Sequence, residues 1–261
     1  MTRVLSGAAL VVLAIAVVWF APPYLFIAVA LILEILAFGE YQLIAEAHDT
    51  TIPGAVGVAT VFTTVALIPR AAISFDVVLI SMVIAVGVLA LPSWRGGRDA
   101  LPRAGASLLP ILYIGLPIGT LIAIRETHGA RGLFLLMLTV MVSDSAQYYT
   151  GRLFGKHPLA PAISPKKTIE GAIGGFVFGT ALLAVVGRWW LPEVPMAMRV
   201  ALGAVIVALG IAGDLFESML KRSAGVKDSS SLIPGHGGVL DRIDAMLFVA
   251  PVYYVVLQYV S

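Results

Sequence analysis

Long apolar segments follow one another along the whole chain, and this pattern restricts the fold more than any other feature of the sequence. A helix needs about 20 mainly apolar residues to cross the hydrocarbon core of a bilayer. Breaks rich in proline and glycine separate segments of about this length. The segments cover residues 4–20, 22–45, 52–69, 75–92, 107–124, 132–150, 169–190, 199–221 and 242–260. The sequence therefore predicts an all-α, polytopic integral membrane protein with about nine transmembrane helices.

The composition supports this prediction, because the chain has too little polar surface to cover a soluble core. Of its 261 residues, 59% are hydrophobic and 12% are charged, whereas soluble domains carry about 25% charged residues. The absence of cysteine excludes disulfides, thiolate metal sites and cysteine nucleophiles. We expect a single membrane-embedded domain over residues 1–261, with N-terminal spans in 1–130 and the polar motifs in 131–261.

Basic residues are distributed unevenly between the two sides that nine alternating spans would define. Of the 17 lysines and arginines, 12 fall on the side of the N-terminus and five on the other side. Because cytoplasmic loops are enriched in these residues, we expect a cytoplasmic N-terminus, a C-terminus outside, and insertion in the cell (inner) membrane. We interpret residues 4–20 as an uncleaved span, because this run is longer than the apolar core of a usual signal peptide.

The most polar part of the chain is residues 218–244, which lie between two apolar segments. In the preceding segment, Asp214, Ser218 and Lys221 are spaced by four and three residues. A helix would therefore place them on one face, with Glu217 beside them. This face is a candidate site for polar chemistry at the edge of the membrane.

A second helix and a glycine-rich turn follow in the same stretch. A helix that begins near Asp241 would present Asp241 and Asp244 on one face. Before it, Gly235, Gly237 and Gly238 permit positive φ angles and a close approach of backbone N–H groups to a ligand. Two helices with carboxylates and such a turn between them can hold cations and phosphates together.

Residues 218–244 resemble the signature of the phosphatidate cytidylyltransferases, also called CDP-diglyceride synthases. The shared pattern is S-x-φ-K-R, four residues, K-D, and then P-x-H-G-G-φ-x-D-R-φ-D. Residues 144–175 are also similar to the family. They match at Asp144, Tyr148, Gly151, Arg152, Gly155, Lys156, Leu159, Pro161, Ile163, Pro165, Lys167, Thr168, Glu170 and Gly171. The resemblance covers roughly the last 120 residues.

Four aspartates are the candidate metal ligands. Asp144 and Asp214 lie within apolar segments, where a lone carboxylate is costly unless it is paired, hydrated or bound to a metal. With Asp241 and Asp244 they form a set of oxygen donors, which suits Mg²⁺. A second cation, Mg²⁺ or K⁺, is also compatible with this set. The resemblance likewise implies a Mg²⁺-dependent site, whereas for any single acid an ion pair with lysine or arginine is the alternative.

The other candidates are mainly basic and polar residues of the same two blocks. The interleaving of lysine with glycine, serine and aspartate indicates phosphate contacts, although basic loops are also typical of the cytoplasmic side. His236 and Tyr148 are included because the family pattern contains them. The predicted catalytic residues are Asp214, Asp241, Asp244, Lys221, Arg222 and His236. The predicted substrate-binding residues are Asp144, Tyr148, Lys167, Ser218, Lys227, Asp228 and Arg242.

Two further features have no settled role. Residues 164–168 followed by Glu170 predict a helix start with Thr168 as the N-cap, which would offer a helix N-terminus to an anion. The glycines that follow are equally compatible with simple close packing of helices. Glu34 and Glu40 are acids within the second apolar segment, and no motif connects them to the predicted site.

The resemblance implies a nucleotidyltransferase with CTP and phosphatidic acid as substrates. Such an enzyme would produce CDP-diacylglycerol and diphosphate in a polar cavity on the cytoplasmic side. We expect contacts with membrane lipids and none with nucleic acid, and a homodimer is compatible with the sequence. Two alternatives stay open: a CTP-dependent enzyme for another lipid phosphate, and an ion-coupled transporter. A CDP-alcohol phosphotransferase is disfavoured because its D-G-x₂-A-R…D-x₃-D motif is absent.

Overall fold

The computed structural model describes residues 2–68, 75–91, 99–233, 235 and 237–260, which are mostly helical. The helices are α1 (Thr2–Phe20), α2 (Pro23–Glu46), α3 (Gly54–Ala66), α4 (Phe75–Ala90), α5 (Ala100–Pro110), α6 (Leu116–Thr127), α7 (Gly129–Phe154), α8 (Ile169–Trp190), α9 (Met196–Ser223) and α10 (Leu240–Val260). A π-helical turn, Ile111–Gly115, joins α5 to α6.

Six helical segments within the described ranges are long and apolar enough to cross a membrane. They are α2, the continuous segment Ala100–Thr127, α7, α8, α9 and α10. Three shorter apolar helices lie at Gly7–Phe20, Gly54–Ala66 and Val77–Val88. The prediction of a helical membrane protein is therefore confirmed. The count of nine spans stays a prediction, because three of the predicted spans coincide with these shorter helices.

Local sequence explains several helix boundaries. Pro23 stands in the first turn of α2, where a missing backbone N–H removes no helical hydrogen bond. Pro110 ends α5, and the π-helical turn begins at the next residue. Thr168 is the N-cap of α8, and its side chain accepts a hydrogen bond from Gly171 N at 3.1 Å. The prediction that Thr168 caps a helix is therefore confirmed.

A short antiparallel sheet, which the all-α prediction omitted, precedes α8. Strand β1 (Pro158–Ala160) pairs with β2 (Ser164–Thr168). The strands are three and five residues long and contain two prolines, so they carry no alternating apolar pattern that would reveal them in the sequence. The hairpin places Lys167 directly before the cap of α8.

The structure divides into two compact units, and each is described by itself. Unit 1 consists of Met1–Thr127 with Ser223–Arg242, and unit 2 consists of His128–Arg222 with Ile243–Ser261. The polar stretch between α9 and α10 thus groups with the N-terminal helices. The expectation of a single membrane-embedded domain stays a prediction.

Glycines bring α7 and α8 close together in unit 2. Gly174 faces Thr150, and Gly175 faces Gln147, so that an added Cβ at either position would collide with the α7 side chain. Gly171 lies against the backbone carbonyl of Gln147. These contacts account for the glycines as small residues at a helix interface.

Candidate functional site

Three aspartates of unit 2 come together, and we call Asp144 of α7, Asp214 of α9 and Asp244 of α10 the carboxylate cluster. Lys167 Nζ lies 2.6 Å from Asp214 Oδ2, and the two side chains form an ion pair. Gln147 Nε2 donates a hydrogen bond to Asp144 Oδ1 at 3.0 Å. Asp144 interacts electrostatically with Lys167 and Asp214, and Asp244 interacts with both other carboxylates. The structure thus brings these four predicted residues together.

The polar face of α9 extends the carboxylate cluster. Ser218 Oγ donates to Asp214 Oδ1 at 3.3 Å, as the four-residue spacing suggested. One turn further, Lys221 forms a buried ion pair with Glu217 and also interacts with Asp244. The carboxylate cluster therefore lies beside Lys167 and Lys221. Its aspartate oxygens are donors suited to a bound cation.

A cavity of about 320 Å³ lies in unit 1, at the loop between α9 and α10. We call residues 224–239 the signature loop. The cavity is lined by Lys227, Asp228, Ser230, Ser231, Ile233, Gly235, Gly237 and Arg242. Two cationic side chains and one acidic side chain stand on a wall of small polar residues, which is a surface suited to an anion such as a phosphate group.

Glycines shape the signature loop in the way the sequence predicted. Gly235 and Gly237 have φ angles of 77° and 81°, in the left-handed region that favours glycine. Ile233 N donates to the carbonyl oxygen of Gly237 at 2.8 Å and closes the turn between them. Glycine is required at position 238, where the backbone lies close to the side chains of Ser229 and Glu40 and an added Cβ would collide with both.

Asp241 is buried and organises the signature loop. Its Oδ2 accepts hydrogen bonds from Ser229 N at 3.0 Å, from Ser229 Oγ at 2.9 Å and from Gly238 N at 2.7 Å. Both residues belong to the loop that precedes it. A carboxylate oxygen with two backbone donors and a serine hydroxyl, whose one proton is shared with Glu40, is held by the fold. These contacts were not part of the prediction that Asp241 binds metal.

Glu40 of α2 is a second acid that contacts the loop, although no sequence motif connects it to the predicted site. Its side chain is only 4% exposed. Ser230 Oγ and Val239 N donate to Oε1, while Ser229 Oγ and Leu240 N donate to Oε2. The available signal was the acid itself, because a carboxylate within an apolar span needs a polar partner.

The remaining predicted residues are less enclosed. Tyr148 is exposed, and its hydroxyl accepts a hydrogen bond from Arg152 Nη1 at 3.3 Å. Arg222 is exposed at the end of α9. His236 lies outside the residues that the structure describes, so its predicted catalytic role stays a prediction.

No group of three or more acidic or histidine side chains in the described part of the chain is close enough to form a ready metal site. Within the carboxylate cluster, Asp214 is paired with the ammonium group of Lys167. Mg²⁺ is often bound in enzymes by one or two carboxylates together with substrate phosphates and water. An incomplete set of protein ligands is therefore compatible with this metal.

Comparison with known proteins finds one matching family model and several similar proteins. The sequence model of a family described as "Cytidylyltransferase family" matches residues 1–260. Proteins named phosphatidate cytidylyltransferase from three bacteria are similar to the chain over shorter segments. The protein from Helicobacter pylori (strain J99) is 40% identical over 155 residues, which are 59% of this chain and 58% of the relative.

The other two relatives show similar coverage. The Thermotoga maritima protein is 37% identical over 176 residues, 66% of this chain and 65% of the relative. The Haemophilus influenzae protein is 48% identical over 132 residues, 47% of this chain and 45% of the relative. The matched segments thus span about half to two thirds of the relatives' lengths.

Proposed function

Because this chain belongs to the cytidylyltransferase family, we propose that it transfers the cytidylyl group of CTP to phosphatidic acid. The products would be CDP-diacylglycerol and diphosphate. The observation that carries this proposal is the cavity at the signature loop, where Lys227 and Arg242 stand beside two glycines with positive φ. This is a surface for phosphate groups, in a family whose members act on a nucleoside triphosphate.

The cationic wall of the cavity would bind and orient phosphates. Arg242 offers a planar fork of N–H donors that matches phosphate oxygens, and Lys227 adds a mobile ammonium group. The backbone at Gly235 and Gly237 leaves room for a close approach, since no side chain shields it. Asp228, exposed beside Lys227, would orient that ammonium group or a hydroxyl of the substrate.

The reaction needs no covalent enzyme intermediate. A phosphate oxygen of phosphatidic acid attacks the α-phosphorus of CTP and forms a new P–O bond. The bond between the α-phosphorus and its bridging oxygen breaks, and the electron pair leaves with diphosphate. The protein's contribution is to bring two anions together and to neutralise the charge that collects on the leaving group.

We propose Mg²⁺ as the cofactor, held by the carboxylate cluster of Asp144, Asp214 and Asp244. The all-oxygen donor set of three neighbouring aspartates fits this ion. When bound, it would supply positive charge to the phosphate oxygens. The predicted metal role of Asp241 and the second cation stay predictions, and the three donors on Asp241 Oδ2 favour its role in the loop.

Lys167 and Lys221 would complete the charge balance in unit 2. The side chain of Lys167 is 20% exposed and its partner Asp214 is 36% exposed, so this ion pair can exchange one partner for a phosphate or a cation. Lys221 is buried with Glu217 and would act as a fixed charge. Ser218 would hold the orientation of Asp214 through its hydrogen bond.

Diphosphate release by the purified protein is the direct test. With CTP and Mg²⁺ present, we expect little diphosphate until phosphatidic acid is added, and then equal amounts of diphosphate and CDP-diacylglycerol. Equal release with and without lipid would indicate a hydrolase instead. A panel of acceptors, with an isoprenoid phosphate and a glycerol ether phosphate, separates the alternative lipids. No release with any acceptor, together with metal-dependent solute uptake, would support the transporter.

The polar cavity would face the cytoplasm, where CTP is available, with the N-terminus inside and the C-terminus outside the inner membrane. Since the chain has no cysteine, single engineered cysteines report orientation cleanly. In intact cells, Ser6→Cys and Ser231→Cys should be protected from an impermeant thiol reagent, and Ser261→Cys should react. Ser231 suits the test because it is exposed, whereas the neighbouring Ser229 is buried. Reaction at position 231 from outside contradicts the proposed orientation. A homodimer stays a prediction.

A further inference from the structure

Glu40 lies in α2, far along the chain from every motif that marks the site, yet its carboxylate is enclosed by the signature loop. Ser230 Oγ lies 2.7 Å and Val239 N 2.9 Å from Oε1. Ser229 Oγ and Leu240 N each lie 2.8 Å from Oε2. A buried carboxylate is costly without such donors, so these contacts stabilise both the charge and the loop.

The donors come from two places along the chain. Ser229 and Ser230 lie in the middle of the signature loop, and Val239 and Leu240 lie where the chain enters α10. The segment between them provides the glycine wall of the cavity. The Glu40 carboxylate thus ties the two ends of this segment together.

Glu40 also completes the start of α10. The first N–H groups of a helix have no partner within the helix, and they favour a negative charge nearby. Leu240 is the first residue of α10, and its N–H donates to Glu40. The acid therefore acts as a cap supplied by another helix, and it fixes the start of α10, two residues before Arg242.

A second carboxylate is linked to the same anchor. Ser229 Oγ lies within hydrogen-bond distance of both Glu40 and Asp241, at 2.8 and 2.9 Å. Gly238 N donates to Asp241 at 2.7 Å, and its Cα lies so close to Glu40 and Ser229 that a side chain would collide. The loop conformation is thus determined jointly by a motif residue and by a residue outside the motif.

We propose that Glu40 is a positioning residue for the phosphate-binding wall: it holds the middle of the signature loop against the start of α10, so that Lys227 and Arg242 face the cavity. Glu40 itself does not touch the substrate. This inference rests on the proposed function for one point, which is that the ligand of the cavity is a phosphate group. The anchoring of the loop stands on the hydrogen bonds alone.

The kinetic test compares Glu40→Gln with Glu40→Asp. The glutamine side chain has the same size, but its NH₂ group would face N–H and O–H donors, so about half of the contacts are lost. We expect kcat/KM for CTP to fall by roughly 10- to 100-fold, mostly through a higher KM. Glu40→Asp keeps the charge on a shorter side chain and should recover part of the loss.

Glu34→Gln is the matched control, because it removes another buried acid from the same helix. Glu34 is 0% exposed and accepts a hydrogen bond from Thr64 Oγ1 at 2.9 Å, away from the signature loop. Its variant should keep the KM for CTP within about twofold of the parent. An equal rise of KM in both variants would assign the effect to α2 in general and overturn the proposal.

A second measurement reads the loop without any activity. A spin label on Ser231→Cys, the single cysteine of the chain, reports loop mobility in the purified protein without substrate. Glu40→Gln should increase the mobility of this label, and Glu34→Gln should not. Unchanged mobility with Glu40→Gln overturns the anchoring role, whatever the kinetics.

The two readouts also separate the proposals. If the parent protein releases no diphosphate from CTP with any lipid, the proposed function fails, while the label still decides whether Glu40 anchors the loop. If Glu40→Gln does not fold, Ser230→Ala removes a single donor from the loop side. Increased label mobility in that variant supports the anchor, and mobility equal to that of the parent overturns it.

Discussion

Glu40 and Asp214 are both carboxylates in apolar helices, but their surroundings differ. Glu40 is 4% exposed and accepts hydrogen bonds from two backbone N–H groups and two hydroxyls. The Asp214 side chain is 36% exposed and meets one lysine and one serine among the described residues. Fixed backbone donors bind a carboxylate permanently, whereas a mobile ammonium group can give way to another cation. Glu40 is therefore held by the loop around it, whereas the ion pair of Asp214 is open to exchange of its partner.

Metal removal should produce the largest difference between the two regions. If the carboxylate cluster binds Mg²⁺, EDTA should reduce CTP-dependent diphosphate release to background, and added Mg²⁺ should restore it. The signature loop is held by hydrogen bonds within the protein, so the mobility of a label at position 231 should not change with EDTA. Full turnover in EDTA would exclude a dissociable metal from the proposed mechanism.

Asp214→Asn should cause the second-largest loss of turnover. The amide has the same shape but loses the charge that pairs with Lys167, and we expect turnover to fall by roughly 10²- to 10³-fold. Asp99→Asn is the control, since Asp99 forms an exposed ion pair with Arg103 in unit 1. Its turnover should stay close to that of the parent. An Asp214→Asn protein with more than about a tenth of parental turnover contradicts a metal-binding role.

Gly238→Ala should give an intermediate effect. The added methyl group collides with Ser229 and Glu40, so the loop must shift, and overpacking of this kind costs about 1–3 kcal/mol. We expect roughly a tenfold loss of kcat/KM and a lower unfolding temperature. Gly39→Ala is the control in α2, because an added Cβ there meets nothing within 4 Å. Equal kcat/KM values and equal unfolding temperatures of the two variants would show that the close approach at Gly238 affects neither activity nor stability.

Thr168→Ala should have the smallest effect. Loss of the N-cap of α8 should lower the free energy of unfolding by about 1 kcal/mol. Lys167 precedes the cap directly, so the ion pair with Asp214 should loosen and turnover should fall by less than about threefold. Thermal unfolding and diphosphate release, measured on the same preparation, check both expectations. A loss of turnover comparable to that of Asp214→Asn would mean that the cap acts in the chemistry itself.

Local patterns predicted much of this structure. The apolar runs located the helices, the Thr168 cap was recognised from its neighbours, and the positive φ angles of Gly235 and Gly237 followed from the glycine-rich turn. The contact between Ser218 and Asp214 followed from helical spacing. Each of these features depends on residues that are close in sequence.

The features that were missed depend on residues far apart or on very short elements. Glu40 is separated from Val239 by 199 positions, and neither residue carries a motif that reveals the other. Asp241 was predicted to bind metal as one of four aspartates that together form a set of oxygen donors, and that role stays a prediction. Its hydrogen bonds to Ser229 and Gly238 appear only in the folded loop. The hairpin before α8 is too short to show strand periodicity.

The separation between Glu40 and Leu240, 200 positions along the chain, has a consequence for biosynthesis. A ribosome adds roughly 5–20 residues per second, so the donors that enclose Glu40 are made roughly 10–40 s after Glu40 itself. During that interval α2 carries an acid without these partners, and the signature loop cannot adopt its final conformation until α10 has been synthesised. A chain truncated before Ser229 would therefore keep Glu40 in α2 without any of these four donors.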